Sequence, residues 1–424
     1  MAESLNEAKP PRFTALAPFR HSAYLRLWSG AFVSNIGTWM EAVALGAYVK
    51  NLTDQDVWVG AVAAAAFVPI AIFGPLGGAL ADRFPRKALL LTTTCVQAAL
   101  ALWLTFLFAT GEPSAPLVTA IAFGNGICAA LGFPAFQAIL PDLVPVEDIP
   151  GAVALSSTQY NLGRVVGPAL AGLVIALWGY AAAEGVNAFS FFAVVAVLLT
   201  LTLPRPGDGA RDMKLLASIA AGFRFVRREP GLRVNIAAMC FNTFLAAPFI
   251  ALVPSMAAEV SNNTDLGTAV LVTAQGIGAV AMGLSLGNLT ARFGPRRVLV
   301  RVMAALPFAL AAYAVAPGLP LSALTIIVVG FFYLGALSSF TTIAQLRAPA
   351  SIRGRVLSVH TVILGSLYPI GALIQGKIAD AVGMRATTLG AAVVMGALLL
   401  LIRAVRPGYT APIDQPVAEA VDAG

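Results

Sequence analysis

The chain has 424 residues, of which 58% are hydrophobic and 11% charged, whereas a soluble domain carries about a quarter charged residues. Water is thereby excluded as the solvent of the fold. The net charge of +7 argues for nucleic acid only if the bases form one surface, and here they fall in short groups between apolar stretches, as a topology signal does.

A crossing helix needs roughly 20 apolar residues to span about 30 Å of hydrocarbon. About twelve such stretches are expected, starting near Leu27, Val57, Ala88, Pro116, Ala152, Ala181, Val234, Leu266, Val298, Pro320, Val356 and Ala386. Residues 1–26 mix acids, bases and Pro10-Pro11 without an apolar run, so a cytoplasmic tail is expected and not a cleaved signal. If the spans alternate, Arg12, Arg20, Arg26, Arg83, Arg86, Lys87, the cluster from Arg205 to Arg233, Arg292 to Arg301, Arg347 to Arg355, Arg403 and Arg406 share one side. The other side keeps Lys50, Lys377 and Arg385. The positive-inside rule then makes both termini and the central loop cytoplasmic. Cys95, Cys128 and Cys240 lie inside spans, spaced neither as metal ligands nor as a disulfide framework, and read as small buried side chains.

The first span carries Ser34, Thr38 and Glu41 at i, i+4, i+7, one helical face. Glu41 lies roughly 21 Å from the cytoplasmic end of that span, at hydrocarbon depth. Placement near the outer headgroups is the rival reading. The second span ends in Gly74-Pro75-Leu76-Gly77-Gly78, a small-residue surface suited to close helix approach. The charged loop that follows holds Asp82, Arg83, Arg86 and Lys87. The fourth span carries Asn125, Pro134 and Gln137.

The fifth span contains Asn161, Gly163, Arg164, Gly167, Pro168 and Gly172. Pro168 suits a hinge, and the glycines suit a hinge or plain helix packing. Arg164 lies roughly 18 Å deep, at about the depth of Glu41. A central arginine costs on the order of 2.5–3.5 kcal/mol. A Glu41–Arg164 pair across the cavity of the first half is therefore expected, either as a switch released when Glu41 takes a proton or as a static ion pair. Residues 204–233 read as the linker, with an amphipathic basic helix around 221–228 lying on the membrane surface. In the second half Asn235 and Asn242 line the seventh span, Gln345 the tenth, and His360 and Tyr368 the eleventh, with no midspan carboxylate comparable to Glu41. Trp39, Phe133, Phe136, Phe249 and Phe332 are candidates for an apolar cavity wall or for ordinary packing.

One loop returns. Gly74, Gly78, Leu80, Arg83 and Phe84 recur as Gly283, Gly287, Leu289, Arg292 and Phe293, each copy between apolar segments and followed by bases. Ala291 replaces the acid of the first copy, so an asymmetric latch is expected. The stretch Gly78-Ala79-Leu80-Ala81-Asp82-Arg83-Phe84-Pro85-Arg86-Lys87 resembles the loop between the second and third helices of major facilitator superfamily transporters, with Pro85 where the family usually has glycine. The run Gly37-Thr38-Trp39-Met40-Glu41 and the stretch from Ala152 to Pro168 resemble the branch that holds enterobactin exporters and macrolide efflux proteins.

The resemblance implies an all-α membrane protein of twelve transmembrane helices in two pseudo-symmetric six-helix bundles, residues 27–203 and 234–405, with tails at 1–26 and 406–424. It implies alternating access with a cytoplasmic gate at Gly78, Asp82, Arg83, Arg86, Lys87 and Arg292. Residues Ser34, Thr38, Gln137, Asn161, Asn242, Gln345 and Tyr368 are the expected cavity lining. The expected activity is export of a small amphipathic molecule in exchange for protons, by a monomer in a bacterial inner membrane. Uptake and a non-transporting receptor are the alternatives. No zinc, nucleophile-elbow or phosphate-loop motif points to an enzyme, a metal, another cofactor or a nucleic acid partner.

Overall fold

The computed structural model describes residues 16–202, 215–349 and 352–415, apart from the side chains of Asn161 and 215–219. Residues 1–15 and 416–424 of the tails, with Arg12, and 204–214 of the linker, with Arg205, therefore lie outside the described residues. The leading part is built from α1 (Ser22–Thr53), α2 (Asp56–Arg83), α3 (Arg86–Thr110), α4 (Ala115–Ile139) and α5 (Ile149–Thr200). The linker helix α6 (Leu215–Arg228) follows. Then come α7 (Pro230–Leu245), α8 (Pro248–Ala251), α9 (Val253–Val260), α10 (Thr264–Phe293), α11 (Pro295–Val315), α12 (Gly318–Arg347), α13 (Arg353–Val382) and α14 (Met384–Val405).

Ten of these segments are long and apolar enough to cross a membrane. The expected twelve and the observed ten part at two places. The 32-residue α1 is diluted by Ser34, Asn35, Thr38 and Glu41 and falls outside the ten. The 52 residues of α5 run as one element, yet Gly179 at φ 78°, ψ −178° breaks it into two arms. That conformation is open essentially to glycine alone. The seventh span is fragmented because Pro248 and Pro254 each lack the N–H that would carry α7 onward.

Large apolar side chains such as Phe189, Leu284, Phe308 and Leu400 are exposed. Lipid accepts such a surface and water does not. Cys95 is among the exposed residues, against the expectation that all three cysteines are buried, and Cys240 is half-buried. Inside, α1 runs along α5 and α2 along α4, while α10 packs on α12 and α11 on α12 and α14. The two bundles meet through α2 on α13 and α5 on α10.

The loop-bearing, basic end of the molecule differs from the far end. At the far end Gly60 lies against the Ala372 carbonyl and Gly376 against that of Asp56, and the Asp380 carboxylate accepts the Asp56 N–H. Asp265, at the start of α10, accepts from Asn51 Nδ2 at 2.9 Å and from the Tyr180 hydroxyl at 2.6 Å. At the basic end a Cβ on Gly78 or Gly287 would meet nothing within 4 Å.

The second bundle is stapled at its basic end by Arg347, whose guanidinium bonds Glu229 and the carbonyls of Ile413 and Gln415. Glu229 also caps α7 by accepting the Leu232 N–H. Burial pushes the Glu229 carboxyl up, but the Arg347 and Leu232 hydrogen bonds outweigh it and hold the group below its ordinary value. A carboxylate bound more weakly by protons when folded stabilises above its unfolded titration range, and that stability is lost as pH falls through the depressed value. Glu229→Ala therefore lowers stability by about 3–5 kcal/mol at neutral pH, since it strands a buried guanidinium. Thermal unfolding in detergent between neutral and acidic pH checks this, with the difference from wild type shrinking on acidification.

Candidate functional site

Two polar clusters occupy the membrane-spanning core, and α1 touches both. The first lies inside the leading bundle. Gly37 brings α1 and the second arm of α5 so close that a Cβ there would strike Ser190 Oγ and Asn187 Oδ1. Four residues on, Glu41 is 7% exposed and accepts from Asn125 Nδ2 of α4 and Asn187 Nδ2 of α5, each at 2.6 Å. Glu184, one turn before Asn187, is fully buried and has Glu41 as its charged neighbour. Neither Glu184 oxygen has a hydrogen-bond partner among the described residues, and neither does the side-chain oxygen of Asn125 or of Asn187. The cluster holds more acceptors than donors.

The second cluster lies between the bundles. Arg164, on the first arm of α5, donates from Nη2 to Gln275 Oε1 of α10 at 3.1 Å and stands over the Trp39 ring at 5.6 Å. Tyr160 packs edge-on against Trp39. From the other bundle Tyr333 and Tyr368 lie within the electrostatic reach of Arg164, Tyr333 edge-on to Phe249 and Tyr368 edge-on to Phe67 of α2. The result is one guanidinium among aromatic faces drawn from both halves.

The expected Glu41–Arg164 pair is not formed. Glu41 is held by two amides and Arg164 by Gln275 and Trp39, so the two charges sit in separate clusters. Sequence spacing gave both depths but not azimuth. The stripe Ser34, Thr38, Glu41 also divides, since Thr38 is exposed with its hydroxyl on the Ser34 carbonyl while Glu41 is buried.

The other expected site residues fall as follows. Gly163 and Gly167 lie against Asn35, Ile36 and Trp39 of α1, and Gly172 against Ala269 of α10, all as close helix contacts. Pro168 is inside an uninterrupted stretch of α5, and the backbone break comes at Gly179. Arg86 pairs with Asp142 at 2.8 Å and also bonds the Ala138 carbonyl, while Lys87 bonds the carbonyls of Leu199 and Leu201. These bases tie α3 to α4 and α5 within one bundle. Asp82, Arg83 and Arg292 are exposed, Arg292 beside the Phe293 ring. Asn242 and Tyr368 are buried and Gln137 and Gln345 exposed. Asn161 lies in α5 with its side chain outside the described residues. His360 is buried beside Asn235 at 3.5 Å. No group of three or more His, Cys, Asp or Glu able to hold a metal occurs among the described residues.

Sequence reasoning missed Glu184, Asn187 and Gln275. Glu184 sits near the expected start of the sixth span, where an acid reads as a headgroup residue. Its signal was the spacing Glu184, Asn187, at i, i+3 on one face.

Residues 13–417 match the family described as transmembrane secretion effector. Macrolide efflux protein A of Streptococcus pyogenes is 25% identical over 392 residues, covering 91% of this chain and 95% of that protein. The enterobactin exporter EntS of Escherichia coli O1:K1 / APEC is 27% identical over 400 residues, covering 90% and 92%. Among solved structures, that of the nucleoside transporter NupG superposes with a TM-score of 0.72 at 15% identity, over 93% of this chain and 99% of that one. With a family match along nearly its whole length and a matching helical architecture, this multi-pass membrane protein belongs to the transmembrane secretion effector family of the major facilitator superfamily of transporters.

Proposed function

We propose that the protein is a secondary active exporter that moves an amphipathic small molecule out of the cell in exchange for protons. The observation that carries this reading is the mixed lining between the bundles: Arg164, bonded across to Gln275 and surrounded by Trp39, Tyr160, Tyr333 and Tyr368. Aromatic walls accept varied apolar bodies, and one fixed cation selects for an anionic or electron-rich group. The efflux relatives, whose names specify a macrolide and enterobactin, support the direction and the substrate class.

In this reading the basic end faces the cytoplasm, both termini lie there, and the membrane is a bacterial inner membrane. Counting α1 and both arms of α5 gives twelve crossings, six in residues 27–203 and six in 234–405, acting as a monomer. The close contacts at the far end and the unfilled space at Gly78 and Gly287 suit a cavity facing the cytoplasm. Rocking of one bundle on the other would bring the loop of Asp82 and Arg83 into use when the cavity turns outward. Glu41 is the proton carrier, held by Asn125 and Asn187 and not by Arg164.

Cells with and without the protein, loaded with a macrolide or an anionic catecholate, test the direction. Export lowers accumulation and the effect disappears when a protonophore collapses the gradient; higher accumulation with the protein would make it an importer. In proteoliposomes Glu41→Gln is expected to lose gradient-driven transport while keeping exchange of substrate for substrate. Fully gradient-driven transport by that variant removes Glu41 from the coupling step. Arg164→Ala is expected to weaken binding of an anionic substrate by about 2 kcal/mol, roughly 30-fold, and that of a neutral one far less. Equilibrium binding to the purified variant reads that difference.

A further inference from the structure

The Glu41 cluster lacks hydrogen-bond donors. Glu184 Oε1 and Oε2, Asn125 Oδ1 and Asn187 Oδ1 are buried without partners among the described residues, and the two amide Nδ2 groups, each giving one of its two N–H to Glu41, offer four donors to six acceptor oxygens. Buried acceptors without donors are costly, and two ionised carboxylates side by side in a buried site are costlier. Protons on the carboxyls answer both deficits. A protonated carboxyl is a donor, and it removes one of the two charges.

Among the described residues no cation stands in for those protons. Arg164, on the first arm of α5, is engaged by Gln275 and Trp39. On α2 the charged residues Asp56, Asp82 and Arg83 lie at the helix ends, and on α3 Arg86 and Lys87 lie in the first turn. On α4 the group facing Glu41 is the neutral Asn125, and on α5 it is Asn187. Thr105 of α3 lies against Gly185, next to Glu184, and is also uncharged. Each carboxyl is therefore the other's charged neighbour.

We propose that Glu184 is a second proton-binding group and that Glu41 and Glu184 act as one coupled carboxyl pair, which retains at least one proton in the conformation described here. Gly30 faces Val194 and Gly37 faces Asn187 on the second arm of α5, so Glu41, four residues on, comes level with Ala183 and Glu184. A proton exchanged within the pair leaves one carboxyl for a carboxylate oxygen of the other at the same depth. The role in transport rests on the proton-exchange reading of Glu41, whereas the pairing itself does not.

The test is infrared spectroscopy of the purified full-length protein, following the carbonyl stretch of protonated carboxyls against pH. Wild type, Glu41→Gln, Glu184→Gln and the double variant are compared, each first shown to be monodisperse in detergent. Spectra of the double variant are subtracted, so that the bands of Glu41 and Glu184 remain. In a coupled pair the first ionisation opposes the second, so the last carboxyl band of wild type persists to a pH at least about one unit above its loss in either single variant. Independent groups give a last wild-type band that vanishes together with that of one single variant, and this overturns the proposal. A Glu184→Gln spectrum identical to wild type overturns it as well. If the double variant fails to fold, wild type minus each single variant still isolates the two bands, and the persistence of the last wild-type band above either single variant is read in the same way. Gradient-driven export by Glu41→Gln alongside a coupled titration would sink the coupling reading and leave the pair standing.

Discussion

A bilayer interior supplies no water to hydrogen-bond a stranded polar group, so every such group in a spanning helix must be answered by another side chain or by backbone. Most of the polar spans here obey this locally. Thr93, Thr94, Thr105 and Thr119 return their hydroxyls to the carbonyl one turn back. The exceptions are the groups that cannot be satisfied within their own helix. Glu41 recruits amides from two other elements, and Arg164 recruits an amide from the other bundle. The candidate site is built around two of these exceptions.

The same constraint shapes the contact between the bundles. In the proposed rocking of the bundles, an interface that opens and closes cannot be cemented by buried ion pairs, since separating one strands two charges. At the far end the halves are joined by an aspartate accepting from a hydroxyl and an amide, by another accepting a backbone N–H, and by glycines against carbonyls. Water at the membrane surface can replace each of these bonds. By contrast, the buried pair Glu229–Arg347 lies within one bundle and ties α7, α12 and the 413–415 segment together. Strong pairs hold each half rigid, and exchangeable bonds hold the halves to each other.

Sequence read the class of fold well because composition and the spacing of apolar runs are one-dimensional properties. The repeated loop at Arg83 and Arg292 gave the duplication for the same reason. Azimuth around a helix against neighbours from distant sequence is not one-dimensional. Glu41 and Arg164 lie inside long helices, yet their partners, Asn125, Asn187 and Gln275, are separated from them by 84 to 146 residues. Glu184 was hidden by its position. It lies five residues past Gly179, and no composition signal reveals that one glycine makes the whole turn between two spans. Pro168 offered the more visible break and the helix runs through it.

Placing the carboxyl cluster apart from the cationic cluster changes how the two can communicate. A direct Glu41–Arg164 pair would couple them through one bond. Here both clusters press on the same turn of α1: Trp39 lies beneath Arg164, and Glu41, two residues later, points about 200° around the helix into the carboxyl cluster. Gly167 packs against Ile36, Trp39 and Met40, and Gly37 packs against Asn187 and Ser190, so α1 is gripped on both sides by the two arms of α5. Close-packed helices respond to such pressure by shifting between discrete arrangements and not by gradual deformation. In the proposed exchange, a charge appearing on the carboxyl side and a substrate seated on the cationic side would therefore bias the position of one shared element, a route to coupling that needs no contact between proton and substrate.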